Sequence, residues 1–334
     1  MKEKWHKFFL VLLLFAQCAW GRQPDFDIVI VGSSPIPLLE ALHQHYLGKR
    51  VLILEEAPVC GGAWRSIDIC GLYPVDVGCH TLGQDRQMFH FLEEYVGCKM
   101  VSLDNPHVAF EPGRSPNGFY PLNGCYEIIQ NLLKLISKTD IVLLVNHALE
   151  SVAIDPYEPV ATIKTREMEF TTSKIFVTPY SKIKIANQMT PVKSKENKPY
   201  YHLYMLVEDP NPPSFSFRNS IGAGVSRLMN LTYFVGLEGK GMQLIVIQTY
   251  GNTHMQSAEN YLELLKKQNL IAQEARIFKE EIYIYEQAYY VPQDIPNEKL
   301  VFETLNTYHI QEMTKYIPKW KQTLPTFKEA LRNS

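Results

Sequence analysis

The chain has 334 residues, 46% hydrophobic and 20% charged, with a formal net charge of −2. That length and apolar share supply a sizeable core, in one large domain or two interleaved ones, and exclude a disordered chain. Near-neutral charge without a basic stripe excludes an electrostatic nucleic-acid surface, so no nucleic-acid partner is expected.

The first seven residues carry three lysines, and Phe8–Trp20 is then an uncharged apolar run. This run is shorter than the roughly 20 residues that span a bilayer. Basic start, apolar stretch and the small residues Ala19 and Gly21 predict a signal peptide over 1–21. The expected location is therefore secreted, periplasmic or the lumen of a secretory pathway. Membrane association is expected only if the segment stays uncleaved. Cysteines stand at 18, 60, 70, 79, 98 and 125, and removing the signal leaves five without C-x-x-C spacing. No metal site is expected. One or two disulfides and buried free thiols are both open readings.

Phe26–Val31 reads as a buried strand and Leu38–Leu47 has apolar residues at helical spacing. Arg50–Leu54 is a second apolar strand, which completes a βαβ unit with a parallel sheet. A helix is predicted over Arg86–Val96, with Asp76 in a turn before it, and another at about 124–137. Strands are predicted at Ile141–Val145, Val152–Ile154, Val160–Thr165 and Ile175–Val177, followed by an exposed lysine-rich loop over 181–199. Strands and turns alternate from 200 to 250. A helix at Ser257–Gln268, strands at Ile277–Tyr290 and Lys299–Leu305, and a helix at 309–317 complete the chain. The pattern is α/β at the start, with a mostly antiparallel sheet inserted later.

After the first strand, Gly32-Ser33-Ser34-Pro35-Ile36-Pro37 stands where dinucleotide-binding chains carry G-x-G-x-x-G. Gly32 keeps the tight turn. Ser34 puts a β-carbon where the pyrophosphate approaches, although its hydroxyl can donate one hydrogen bond. Pro35 and Pro37 each remove an N–H from the place where phosphate is held. Glu55 closes the second strand, 23 residues after Gly32, where a carboxylate accepts from an adenosine ribose. Gly61 and Gly62 follow in EEAPVCGGAWRS.

This Glu-x5-Gly-Gly after a βαβ unit resembles FAD-binding proteins of the amine oxidase, protoporphyrinogen oxidase and UDP-galactopyranose mutase group. Asp76-x-Gly78-x-His80, GFYPLNGCYEIIQNLL and VNHALESVAID with SKIFVTP extend the likeness, which covers about 26–317. The resemblance implies FAD as cofactor and an α/β fold in which a Rossmann-type FAD/NAD(P)-binding domain, expected from 26–105, 141–180 and 299–317, is interleaved with a mostly antiparallel substrate domain, expected from 106–140 and 195–298. It places Gly32, Ser33, Ser34, Gly61, Gly62, Trp64 and Arg65 near the pyrophosphate and flavin, and Val152 against the adenine. His80 either faces the flavin ring or substrate, or is a hydrogen-bonded structural residue. Glycine is absent after Gly251, so the C-terminal phosphate-facing turn has also lost its glycine.

The resemblance implies an exported FAD-dependent oxidoreductase, oxidising a C–N or C–C bond of a small-molecule substrate. Its catalytic residues are not named by the sequence. One alternative is a degenerate, non-catalytic binding protein that has lost flavin. A second is a UDP-galactopyranose mutase-like enzyme.

Overall fold

A computed structural model describes residues 23–78, 80, 82, 86–102, 119–154, 160–177, 199–211, 217–250, 255–285 and 310–312. The expected signal peptide, Cys18, Cys79, most of the 181–199 loop and the 299–305 strand lie outside these residues.

The chain opens with β1 (Phe26–Val31), α1 (Pro35–Tyr46) and β2 (Val51–Leu54). β1 and β2 run parallel, with Ile28 opposite Val51 and Val31 opposite Leu54. All four residues of β2 are buried, as in a strand covered on both faces. The prolines do not abolish α1. They occupy its first turn, where an N–H has no partner inside the helix. Burial is continuous from Pro35 to Leu42, so the helix start lies inside the molecule.

Strands β3 (Ser66–Ile69) and β4 (Leu72–Asp76) form a hairpin. Its loop residues Cys70 and Gly71 have φ of 55° and 78°, the left-handed pair of a tight hairpin turn. The helix expected over 86–96 changes pitch halfway: α2 (Arg86–Phe91) passes into a wider π-type turn over Leu92–Val96. β5 (Met100–Ser102) pairs with β6 (Phe119–Pro121) ahead of α3 (Tyr126–Ile136). Ile128, Ile129, Leu132 and Ile136 of α3 share a core with Leu38, Leu39 and Leu42 of α1. α3 thus packs on the first domain, although its segment was expected in the second.

Strands β7 (Val142–Leu144), β8 (Leu149–Ile154), β9 (Ala161–Thr165) and β10 (Glu169–Val177) complete a sheet ordered β7-β2-β1-β10-β9-β8. The first half of β10 runs antiparallel to β9, while its second half runs parallel to β1. β16 (Ile310–Glu312) adds to β10 in parallel, with Ile310 opposite Ile175. The helix expected at 309–317 is therefore corrected at this point. The edge of β10 beyond β9 offers unpaired backbone groups, and pairing with them overrides a weak local helical pattern.

The second sheet is antiparallel and ordered β12 (Phe217–Gly222), β13 (Val225–Asn230), β14 (Met242–Tyr250), β11 (Tyr200–Glu208), β15 (Arg276–Tyr285). Helix α4 (Ala258–Lys267) is capped by Ser257, whose hydroxyl accepts from the Asn260 N–H. It covers one face, where Leu203, Met205, Ile245 and Ile247 pack with Tyr261, Leu262 and Leu265. On the other face Tyr204, Leu206, Met229 and Val246 pack with Ile69, Cys70 and Val75 of the hairpin and with Tyr120. Two-residue alternation sends neighbouring positions to these two cores. The architecture is the expected one, a Rossmann-like domain combined with a mostly antiparallel sheet domain. Among the described residues no helix is long and apolar enough to cross a membrane.

Candidate functional site

The loop after β1 is built on internal hydrogen bonds. Gly32, at φ 98°, donates its N–H to the Leu54 carbonyl at 2.7 Å. Ser33 is buried, and its hydroxyl donates to Glu55 Oε2 at 2.5 Å while accepting from the Gly61 N–H at 3.0 Å. The other Glu55 oxygen accepts from the Ala57 N–H at 2.9 Å. One serine therefore joins the β1–α1 loop, the end of β2 and the double-glycine turn. Ser34 sits at the N-cap with an extended backbone and no capping bond from its side chain. Pro35 and Pro37 follow it in the first turn.

Gly61 and Gly62 have φ of 117° and 55°. A β-carbon on Gly61 would lie 3.3 Å from both the Arg65 nitrogen and Ile129 Cγ1. On Gly62 it would lie 3.8 Å from the Tyr285 hydroxyl and 3.9 Å from Ser34 Cβ. Strand β15 thus reaches the double-glycine turn from the second sheet. One residue pair earlier, Arg65 donates to the Tyr283 hydroxyl. The Trp64 and His80 rings stack with centroids 5.0 Å apart and planes 18° apart, and His80 Nε2 is 2.8 Å from the Ala63 carbonyl oxygen. Nine of the ten site residues named from sequence gather around this loop and turn. Val152 does not. It lies on β8, with its side chain fully buried among Val29, Leu52, Ile163 and Ile175.

Asp76, His202, Tyr283 and Tyr285 also stand around this region and were not among the site residues expected from sequence. Asp76, expected in a turn, closes β4 and is buried. Its carboxylate accepts from the Tyr120 hydroxyl and, at 2.7 Å, from the Cys125 N–H. Cys125 is the N-cap of α3, so Asp76 supplies that helix start with an acceptor from a distant segment. A β-carbon on Gly124 would lie 2.9 Å from Asp76 Oδ1, which explains a glycine at that point. Two residues on, the Gly78 N–H donates to the Tyr204 hydroxyl, which donates in turn to the Asp76 carbonyl, both at 2.7 Å. The Gly78 spacing was visible in the sequence, but its partner on β11 was not.

His202 lies against Gly78, with Nε2 only 2.5 Å from where a β-carbon there would be. Burial, then the neighbouring His80 and the Arg227 charge, hold the His202 imidazole down to about 3. His80 is also held below the ordinary histidine range, mainly by burial and against the pull of the Asp76 carboxylate. A histidine that stays neutral when folded but takes a proton at about 6.5 when unfolded costs stability as pH falls through that window. Stability should therefore drop by about 1.4 kcal/mol per pH unit from this group between about 6.5 and 3. His202→Gln should remove that slope. Urea unfolding of both proteins at several pH values checks it, and parallel profiles would refute it.

Cys60, Cys70, Cys98 and Cys125 are free and buried. Burial pushes the Cys70 thiol up to about 11 and that of Cys98 up to about 12, so both are protonated at neutral pH. Among the described residues there is no group of three side chains able to hold a metal ion.

These features define a protein class by fold: a Rossmann-type domain whose β1–α1 loop and double-glycine turn meet an antiparallel sheet. The model of the NAD(P)-binding Rossmann-like domain matches residues 30–95. The fold is shared with a reduced UDP-galactopyranose mutase, at 12% identity and TM-score 0.67, over 93% of this chain and 94% of that one. It is shared with putrescine oxidase bound to putrescine, at 12% identity and TM-score 0.64, over 92% and 99%. A Rab GDI from Plasmodium falciparum matches at 12% identity and TM-score 0.52, over 92% and 98%. Among curated proteins none matches. The likeness to these structures is one of fold.

Proposed function

We propose that this chain is a binding protein built on a flavoprotein-type scaffold, without a flavin of its own. One observation carries this reading. The groups that would hold the ribose and phosphates are satisfied within the chain. Glu55 is closed onto Ser33 and the Ala57 N–H, and Ser33 also holds Gly61. Pro35 and Pro37 offer no N–H to an anion. Arg65, the cation nearest the turn, donates to Tyr283. A dinucleotide would have to break these bonds to enter, and a weakened loop has few donors to replace them. These residues do not fit an FAD pyrophosphate. The fold does not choose between readings, since an oxidase, a mutase and a Rab GDI all carry it. The apolar run and small residues before Arg22 support export of the mature chain.

Residues 23–334 should purify colourless, and added FAD should keep its free spectrum and leave the melting temperature unchanged. A ligand at a hundred times its Kd stabilises by about 2.7 kcal/mol, so real binding would be seen in both measurements. Two flavin bands that co-elute with the protein would overturn the reading.

Glu55 at the end of β2 and the Gly61–Gly62 turn favour a second reading. In it the chain is an exported FAD-dependent oxidoreductase, oxidising a C–N or C–C bond, and the Ser33–Glu55 contact opens to admit the ribose. The same spectrum decides between the two.

A further inference from the structure

Strand β15 ends one side of the second sheet. Among the described residues it pairs with β11 alone, so no strand lies along its other edge there. Phe278, Ile282 and Ile284 on this strand are 64%, 59% and 48% exposed. A long edge strand that also shows large apolar side chains is a ready template for a further strand. Register sorts its side chains. Ile282 stands opposite Leu203, on the face that α4 covers, but lies beyond that cover. Lys279 and Glu281 stand opposite Leu206 and Tyr204, on the face of the hairpin.

Lys279 Nζ lies 2.7 Å from Glu281 Oε1, and both side chains stay partly open to solvent. The run Phe278-Lys279-Glu280-Glu281-Ile282 is complementary to its own reverse. Antiparallel pairing centred on Glu280 sets Lys279 opposite the partner's Glu281, Glu281 opposite the partner's Lys279, and Ile282 opposite the partner's Phe278. Opposed residues of an antiparallel pair share a face, so the two ion pairs meet on the hairpin side. The pair within each strand is kept, and each member gains the opposite charge across the contact. Four charges then alternate around a closed ring. Centring on Lys279 or Glu281 sets that charge against itself and leaves the other facing Ile277 or Tyr283.

We propose that the β15 edge is an interface for a second copy of this chain, joined two-fold into one sheet with five strands from each copy. Each copy has one β15, so the contact closes at a dimer rather than running on as a fibre. Two features keep it weak and reversible. Glu280 meets the partner's Glu280, and like charges directly opposite are destabilising. The register to β11 shifts beside Phe278, and a bulge bends the strand at that point, which confines the new ladder to Phe278–Ile282. The inference goes beyond the flavin question and stands whichever way that is answered.

The test follows residues 23–334 by sedimentation velocity and light scattering from low to high micromolar concentration. The expected result is a reversible monomer–dimer equilibrium. Lys279→Glu sets Glu against Glu at both crossings and should weaken the dimer by about tenfold or more. Glu281→Lys sets Lys against Lys and should do the same. Mixed together, these two variants regain opposite charges at both crossings and should associate more tightly than either does alone. A role inside one chain would not produce that rescue. Glu280→Gln removes the like-charge crossing and should tighten the dimer. If a charge-reversed variant does not fold, Glu280→Gln and Ile282→Gln carry the test, the first tightening and the second weakening. A chain that stays monomeric at every concentration overturns the proposal and leaves this edge to another segment or another protein. A dimer that these variants leave unchanged, or a mixture of the folded reversed variants without rescue, overturns it too.

Discussion

Asp76→Ala should destabilise the chain by about 3–5 kcal/mol, a large share of the 5–15 kcal/mol that holds a typical domain. The reason is where its partners would be left. The Tyr120 hydroxyl and the Cys125 N–H are both buried, and both donate to this one carboxylate. Removing it strands two donors, each at about 1–3 kcal/mol, and takes the acceptor from the first turn of α3. Tyr120→Phe removes only one donor and leaves the carboxylate with the Cys125 N–H, so it should cost less, about 1–2 kcal/mol. Urea unfolding of the two single variants and the double variant checks this. The double variant should lose less than the sum of the singles, because the two side chains share one bond. Additive losses would show that the Tyr120–Asp76 bond contributes nothing beyond its parts.

Gly78→Ala should cost a similar amount, about 3–5 kcal/mol, from two separate causes. Gly78 has a φ of 81°, a conformation that costs a residue with a side chain about 1–3 kcal/mol. The new β-carbon would also stand 2.5 Å from His202 Nε2, an overlap that forces a ring held between two layers to shift. The two causes separate experimentally. His202→Ala in the Gly78→Ala background removes the overlap but not the backbone strain. That pair should therefore be coupled by about 1 kcal/mol or more in a double-mutant cycle. Absence of coupling would mean that His202 yields freely and that the backbone alone requires glycine.

These two residues show how sequence and tertiary structure divide the information. Asp76-x-Gly78-x-His80 is legible as a pattern, but the pattern does not say why those residue types stand there. Asp76 is needed because α3 begins 49 positions later with a buried N–H. Gly78 is needed because a histidine from β11 packs on it. Both causes lie across the fold, and no local spacing carries them. The loop after β1 is the opposite case. Losing two glycines and gaining two prolines is a local fact with local physics, since proline has no N–H wherever the chain goes. That consequence is legible in the sequence. The Ser33–Glu55–Gly61 hydrogen bonds are not, because they join segments up to 28 residues apart.

The sequence by itself determined the βαβ unit, the prolines that open α1, and the alternation of strands that builds the second sheet. Each follows from the periodicity of side chains along a helix or a strand, or from the fixed φ of proline. Tertiary structure alone decided the rest. It turned 310–312 into a strand because β10 had an edge to offer. It brought Tyr283 to Arg65, and it set His202, Gln248 and Arg227 in one row. Register between strands far apart in the chain depends on the whole core closing at once. A one-residue slip would turn each of those side chains to the other face.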